Sequence, residues 1–309
     1  MRALADSALE AAKAKLRSLL CTCAVFWTIS YLFSNHFDWP TVRDRWLGGD
    51  KALIASWATF AVPHLVFWPL SIADLFLHYM DFECTRKFRT QQIDRDKDTR
   101  FTLRSLSTLM GRVLFNGFFV GVAMTLLFSK LLRWRVGDEA LFADRLPSTA
   151  AVFCQLVAGV VCFEVGFYYA HRLFHQPPFY KRIHKIHHEW TAPISLVAIY
   201  CHPVEQALAN LSPLLAGPLL CGSHVAVVWL WLAISIAVTC FDHSGFHLPL
   251  QPSPEFHDFH HLKFNCCFGN TGTLDWLHGT DAAFKKSRQS QRDVVFASLT
   301  PLSDSVPLD

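Results

Sequence analysis

The sequence predicts an all-α integral membrane protein: four transmembrane helices plus a helical hairpin, with a histidine-rich helical region at one membrane face. Three observations carry this reading. Only 17% of the 309 residues are charged, against about 25% in soluble domains. Mean hydropathy is +0.25, and five stretches hold no Asp, Glu, Lys or Arg: 18–37, 52–73, 113–129, 146–163 and 206–241. Ten of the 16 His crowd into two windows, 171–188 and 243–261.

A bilayer core of roughly 30 Å needs about 20 helical residues. The first two stretches meet that length directly, and the third and fourth do so once flanking residues snorkel. The fifth is too long for one span and short for two. Pro213, Gly217, Pro218 and Gly222 near its middle break a helix, which gives a hairpin that enters and leaves on the same side.

Charge sets the orientation. Residues 1–17 carry four Lys and Arg and residues 79–104 carry seven, against three in 36–51 and four in 130–148. The N-terminus and the 79–104 loop are therefore expected in the cytosol. Four crossings return the chain there near residue 170, so both histidine windows face the cytosol. The apolar run after Arg2, Lys13, Lys15 and Arg17 lacks a small-residue cleavage site and reads as an uncleaved anchor. The expected organisation is 1–145 as membrane helices and cytosolic loop, 146–285 as the unit bearing the histidines, and 286–309 as a polar tail that frays.

Composition excludes disorder, collagen-like repeats and a secreted disulfide scaffold. A formal charge of +3 without basic runs excludes a nucleic-acid binder. The ten Cys form no CxxC pair and read as free core thiols in a reducing compartment.

Each histidine window holds an HxxxH followed by an HxxHH: His171 and His175, then His184, His187 and His188; His243 and His247, then His257, His260 and His261. Residues three and four apart share a helix face, so each box is expected to aim its rings in one direction. Imidazole suits iron, zinc, copper and nickel. Ten rings are too many for one tetrahedral zinc. Two ions with about five rings each would keep an open position, which oxygen activation at a non-haem metal requires. A zinc protease fits poorly: Arg172 stands where its motif needs Glu, and Ala192 where His188-Glu189 would need a second His. The neighbours Asp242, His243 and Ser244 make no triad without a GxSxG elbow. No GxGxxG or phosphate loop is present, so reducing equivalents must come from a partner.

Among other polar residues, Glu164 lies two turns before His171 inside an apolar span and is expected to orient a histidine. Asp258, Asp242 and Glu189 adjoin box residues and are candidates for the same role. His202, before Pro203 and Glu205, is either an additional ligand or a cap. His278 is expected to orient a ligand or line the substrate path. His36, His64, His78 and His224 stand alone and read as structural.

Over roughly 150–285 these residues resemble the fatty acid hydroxylase superfamily of sterol desaturases, methylsterol oxidases and sphingolipid hydroxylases. The likeness rests on Tyr169-Ala-His171-Arg172 to His175, Tyr180 to His188, His202-Pro203-Val-Glu205, His243-Ser-Gly, His257 to His261, and Leu277-His-Gly-Thr280. The methylsterol monooxygenase branch is the most similar. The chain departs from the common pattern at His278, where relatives have Phe. The resemblance implies that 146–285 is a fatty acid hydroxylase-like catalytic domain whose ten boxed histidines hold two iron ions, with zinc able to substitute in isolated protein. It implies O2-dependent oxidation of a lipid C–H bond in the endoplasmic reticulum membrane, with electrons from NAD(P)H through a cytochrome b5 type donor. Lys181, Arg182 and Lys185 could attract that acidic donor. The expected substrate is a sterol, at a 4-methyl group. The alternatives are a fatty acyl or sphingolipid hydroxylase, or a non-catalytic membrane scaffold or signalling regulator that retains the metal site.

Overall fold

The computed structural model describes residues 2–93 and 100–307, with backbone alone for residues 2–18 and Ser305. The described residues are helical and contain no strand; an isolated antiparallel bridge joins Arg89 to Phe246. Six long helices form the body: α1 (Arg2–His36), α2 (Lys51–Met80), α3 (Leu103–Val136), α4 (Thr149–Phe174), α5 (203–221) and α6 (Val225–Asp242). Two short ones follow, α7 (Glu255–Lys263) and α8 (Thr273–His278).

Four helices are long and apolar enough to cross a membrane: α2, α3, α4 and α6. Helices α2 and α3 contain the expected spans at 52–73 and 113–129, and α4 takes up the expected 146–163 from Thr149 onward; each runs past the first charged residue at its C-terminal end. The fourth is the returning arm of the hairpin. The 18–37 stretch lies within α1, which runs antiparallel to α4. Trp27 meets Phe153 edge-on at 5.5 Å, and Asn35 Nδ2 donates to Thr149 Oγ1 at 3.3 Å.

The hairpin turns at Gly222, whose φ of +63° is the left-handed conformation glycine adopts without strain. His224 then caps α6, its Nδ1 accepting from Ala226 N–H at 3.2 Å. Pro213 and Gly217, expected at the break, instead form the face that packs on α4. A Cβ on Gly217 would sit 2.6 Å from Gly159 Cα, and one on Gly166 would sit 2.8 Å from Pro213 Cβ. Small residues let these backbones approach where no water drives apolar faces together.

The hairpin enters and leaves at the same end, as expected. At the far end Trp39 Nε1 and His224 Nε2 both donate to Ala143 O at 3.0 Å, and Arg135 donates to Leu220 O. The C-termini of α2, α4 and α6 and the starts of α3 and α5 meet at the other end. Both histidine windows lie there, over a core of Phe67, Leu109, Val113, Trp190, Ile194 and Tyr200.

The tail does not fray as expected. Arg292 and Glu255 are buried together in an ion pair at 2.9 Å, and Leu250 N–H donates to Phe296 O at 2.7 Å. A salt bridge on buried surface needs its partners fixed, so 286–297 is tied to α7.

Candidate metal centre

His171, in the last turn of α4, and His175, which follows that helix, share a face. After the short helix Pro177–Arg182, a single 3₁₀ segment supplies His184, His187 and His188. His243 directly follows α6, and α7 supplies His257, His260 and His261.

These side chains form two adjacent groups, each with its nitrogens within 4.8 Å of one another: His171, His175, His184, His188 and His260; and His187, His243, His257 and His261. The boxes therefore do not each aim one way. On α7 His257 and His261, four apart, join one group, while His260 is rotated into the other. The tight 3₁₀ turn likewise sends the neighbours His187 and His188 to different groups.

His247, expected as the tenth ligand, joins neither. Helix α6 ends at Asp242 and the chain turns at Gly245 (φ +68°), so His243 and His247 share no helix face. The His247 ring instead faces Glu255 Oε1 through Nδ1 at 3.2 Å and Val294 O through Nε2 at 3.1 Å.

The outer nitrogens explain the inner ones. Nδ1 of His171, His260, His187, His243 and His261 meets the carbonyl oxygens of Phe268, Cys266, Tyr200, Thr239 and Trp190 at 2.7–3.3 Å. A carbonyl can only accept, so each Nδ1 carries the proton and each Nε2 presents its lone pair inward. His184 Nδ1 is paired with Glu205 Oε1 at 2.6 Å.

Within the first group, successive Nε2 atoms lie 2.9–3.3 Å apart; in the second, 2.9 and 3.2 Å. Burial above all, and then the neighbouring rings, keeps them neutral. It pulls His187 down to about 4, His243 and His260 to about 3 and His175 to about 2, and His184, His188, His257 and His261 well below the usual value. Converging lone pairs at this spacing repel unless a cation lies between them. Imidazole nitrogens about 2.1 Å from one ion stand about 3.0 Å apart when adjacent, so the donors fit a nitrogen-ligated transition metal in each group.

The expected carboxylates act elsewhere. Glu164 touches no ring: its buried carboxylate accepts from the N–H groups of Asn270, Thr271 and Leu274 at 2.8–3.2 Å. Asp275 accepts from the N–H groups of Phe268 and Gly269. Together they strap down the loop whose carbonyls orient His171 and His260. Asp258 accepts from Thr90, Gln91 and Gln289, and burial raises its carboxyl to about 6. Glu189 accepts from the Tyr200 hydroxyl, and Asp242 ends α6. His202 caps α5, accepting from Val204 N–H at 3.2 Å. His278 is exposed, bonded to the Tyr169 hydroxyl at 3.1 Å and stacked on Tyr168. Sequence reasoning missed Glu205 as a histidine partner; its signal was a carboxylate placed on the first turn of a helix following a His-Pro step.

Residues 156–280 match the family model described as fatty acid hydroxylase. This segment is similar to a fatty acid hydroxylase domain. It holds all nine grouped histidines, Glu164, Glu205 and the strap. Over 195 residues the chain is 45% identical to human fatty acid hydroxylase domain-containing protein 2, which covers 63% of this chain and 58% of that relative. It is 34% identical to a fatty acid hydroxylase of Mycosarcoma maydis, over 60% of this chain and 48% of the relative. It is 28% identical to rat methylsterol monooxygenase 1, over 80% of this chain and 83% of the relative. No solved structure matches the chain significantly.

Proposed function

We propose that the chain is a membrane-bound lipid monooxygenase that holds two iron ions and uses O2 to oxidise a C–H bond of a sterol, at a 4-methyl group. The observation that carries this reading is the pair of buried groups of inward-facing imidazole lone pairs at one end of the membrane helices. Iron, when bound, supplies the oxygen activation that C–H oxidation needs. The nine rings hold the ions, with carbonyls and Glu205 fixing the tautomers of six of them, while Phe268 packs edge-on to His171 and His260 and limits water.

The hydroxylase domain occupies 146–285 in this reading, with its site on the cytosolic face of the endoplasmic reticulum membrane. Electrons come from NAD(P)H through a cytochrome b5 type donor, and the exposed cations Lys181, Arg182 and Lys185 beside the site favour an acidic docking face. Similarity to a methylsterol monooxygenase along 80% of the chain supports the sterol. The 34% identity to a fatty acid hydroxylase favours a second reading, an acyl-chain or sphingolipid substrate.

The test is a sterol and sphingolipid mass-spectrometry profile of cells lacking the protein, restored with wild type or His260→Ala. The first reading expects 4-methylsterols to accumulate and wild type alone to clear them. Clearance by His260→Ala refutes a metal-dependent oxidation, and a change confined to hydroxylated acyl lipids selects the second reading.

A further inference from the structure

Six of the nine grouped rings are oriented through their outer nitrogens, and the partners of those nitrogens differ in kind. Five rings donate to backbone carbonyls, three of them in the four-ring group. His184, in the five-ring group, instead faces the Glu205 carboxylate at 2.6 Å, with both residues buried. Among the described residues it is the one grouped histidine hydrogen-bonded to a carboxylate. The other carboxylate oxygen, Oε2, is buried with no protein partner there; burial pushes the Glu205 carboxyl up, and a cation held by the His184 ring is what favours its charged form.

A carbonyl fixes a tautomer. A carboxylate does that and also draws the Nδ1 proton towards itself, which makes Nε2 a stronger electron-pair donor. The fold delivers the charge deliberately. Glu205 sits on the first turn of α5, behind the His202 cap and Pro203, and α5 is set against α4 by the Gly217–Gly159 and Pro213–Gly166 contacts. Helix α4 carries His171, so the register of one helix pair brings Glu205 to the ring that meets His171 Nε2 at 3.0 Å.

We propose that Glu205 is a positioning residue that makes the two metal positions unequal, giving the five-ring group a tighter hold on its ion than the four-ring group. The inference rests on the metal-binding reading above and adds an order of affinity to it.

The test uses the full chain in detergent, loaded with Zn2+ and dialysed against a graded series of chelator-buffered free zinc, with bound zinc counted by elemental mass spectrometry. Wild type is expected to release its zinc in two steps. Glu205→Gln keeps an oxygen to accept from His184 and removes the charge. It should weaken the tighter step 10–100-fold, while the weaker step and the melting temperature of the zinc-free protein stay in place. A role confined to folding would move the melting temperature and both steps. Release of two zinc ions in a single step by wild type overturns the inference, even if the variant does not fold. An unchanged tighter step in folded Glu205→Gln also overturns it. Wild type that binds no zinc overturns the metal-binding reading itself, an outcome distinct from both.

Discussion

Replacing Glu164 tests whether the metal centre depends on a residue that touches none of its ligands. The carboxylate receives three backbone N–H bonds from the 266–274 loop, at 2.9, 2.8 and 3.2 Å. Glu164→Leu orphans all three donors, at about 1–3 kcal/mol each when water cannot replace the acceptor. Asn270 and Thr271 are exposed, so water makes up part of the loss and the low end, about 3 kcal/mol in total, applies. The consequence is directional. The loosened loop supplies the carbonyls of Phe268 and Cys266 that orient His171 and His260, both in the five-ring group. The oriented rings of the four-ring group rely on Thr239, Trp190 and Tyr200, which lie outside the loop. Zinc affinity should therefore fall 10–100-fold at one position and hold at the other, with a lower melting temperature. Thermal unfolding and the zinc-release series measure both. A variant that melts earlier yet keeps both zinc affinities would refute the claim that the strap orients the ligands.

Two further outcomes follow from the same geometry. His247→Ala should leave zinc stoichiometry at the wild-type value while limited proteolysis cuts within 293–300 sooner, because His247 ties Val294 rather than a metal; loss of one zinc equivalent would return it to the ligand set. At the far end, burial holds the His224 ring below its usual pKa, so below about pH 6.5 the unfolded chain takes up a proton more readily than the folded one. Its share of stability is present above that pH and lost as pH falls, up to about 1 kcal/mol for the cap on α6. Melting temperatures from pH 8 to 5 should therefore drop more steeply for wild type than for His224→Asn, and parallel curves would refute the assignment.

The parts that could be read in the sequence depend on short-range pattern. Charge-free runs marked α2, α3, α4 and the hairpin, and the histidine spacing marked the chemistry. The errors share a cause: each depends on where an element stops or what it meets from afar. HxxxH at 243–247 implies one face only if helix continues, and α6 stops at Asp242. Glu164 pointed towards His171 by helical periodicity, yet its partners lie 106–110 residues away. Pro213 and Gly217 are helix breakers by intrinsic preference. Here a π-helical segment, Gln206–Leu211, precedes Pro213, and close packing on α4 gives Gly217 a use that propensity does not register. The division of nine rings into five and four depends on the rotation of α7 against α4, which no local signal encodes.

That division also explains why the centre is distributed along the chain. Nine neutral rings gathered in a dry space gain nothing from one another; their convergent lone pairs become favourable only around cations. Before a cation arrives, the arrangement must be held by other means. The carbonyls that hold it come from α6, the 190–200 segment and the strap, with a carboxylate from α5. Each donor left unpaired in the buried site would cost about 1–3 kcal/mol. No single box can therefore form its half of the site in isolation: His171 requires the strap, the strap requires Glu164 on α4, and His184 requires α5 seated on that same helix. Metal affinity and assembly of the α4–α5 pair are then one equilibrium. A substitution that separates those helices, far from any histidine, should loosen the five-ring group before it disturbs the four-ring group.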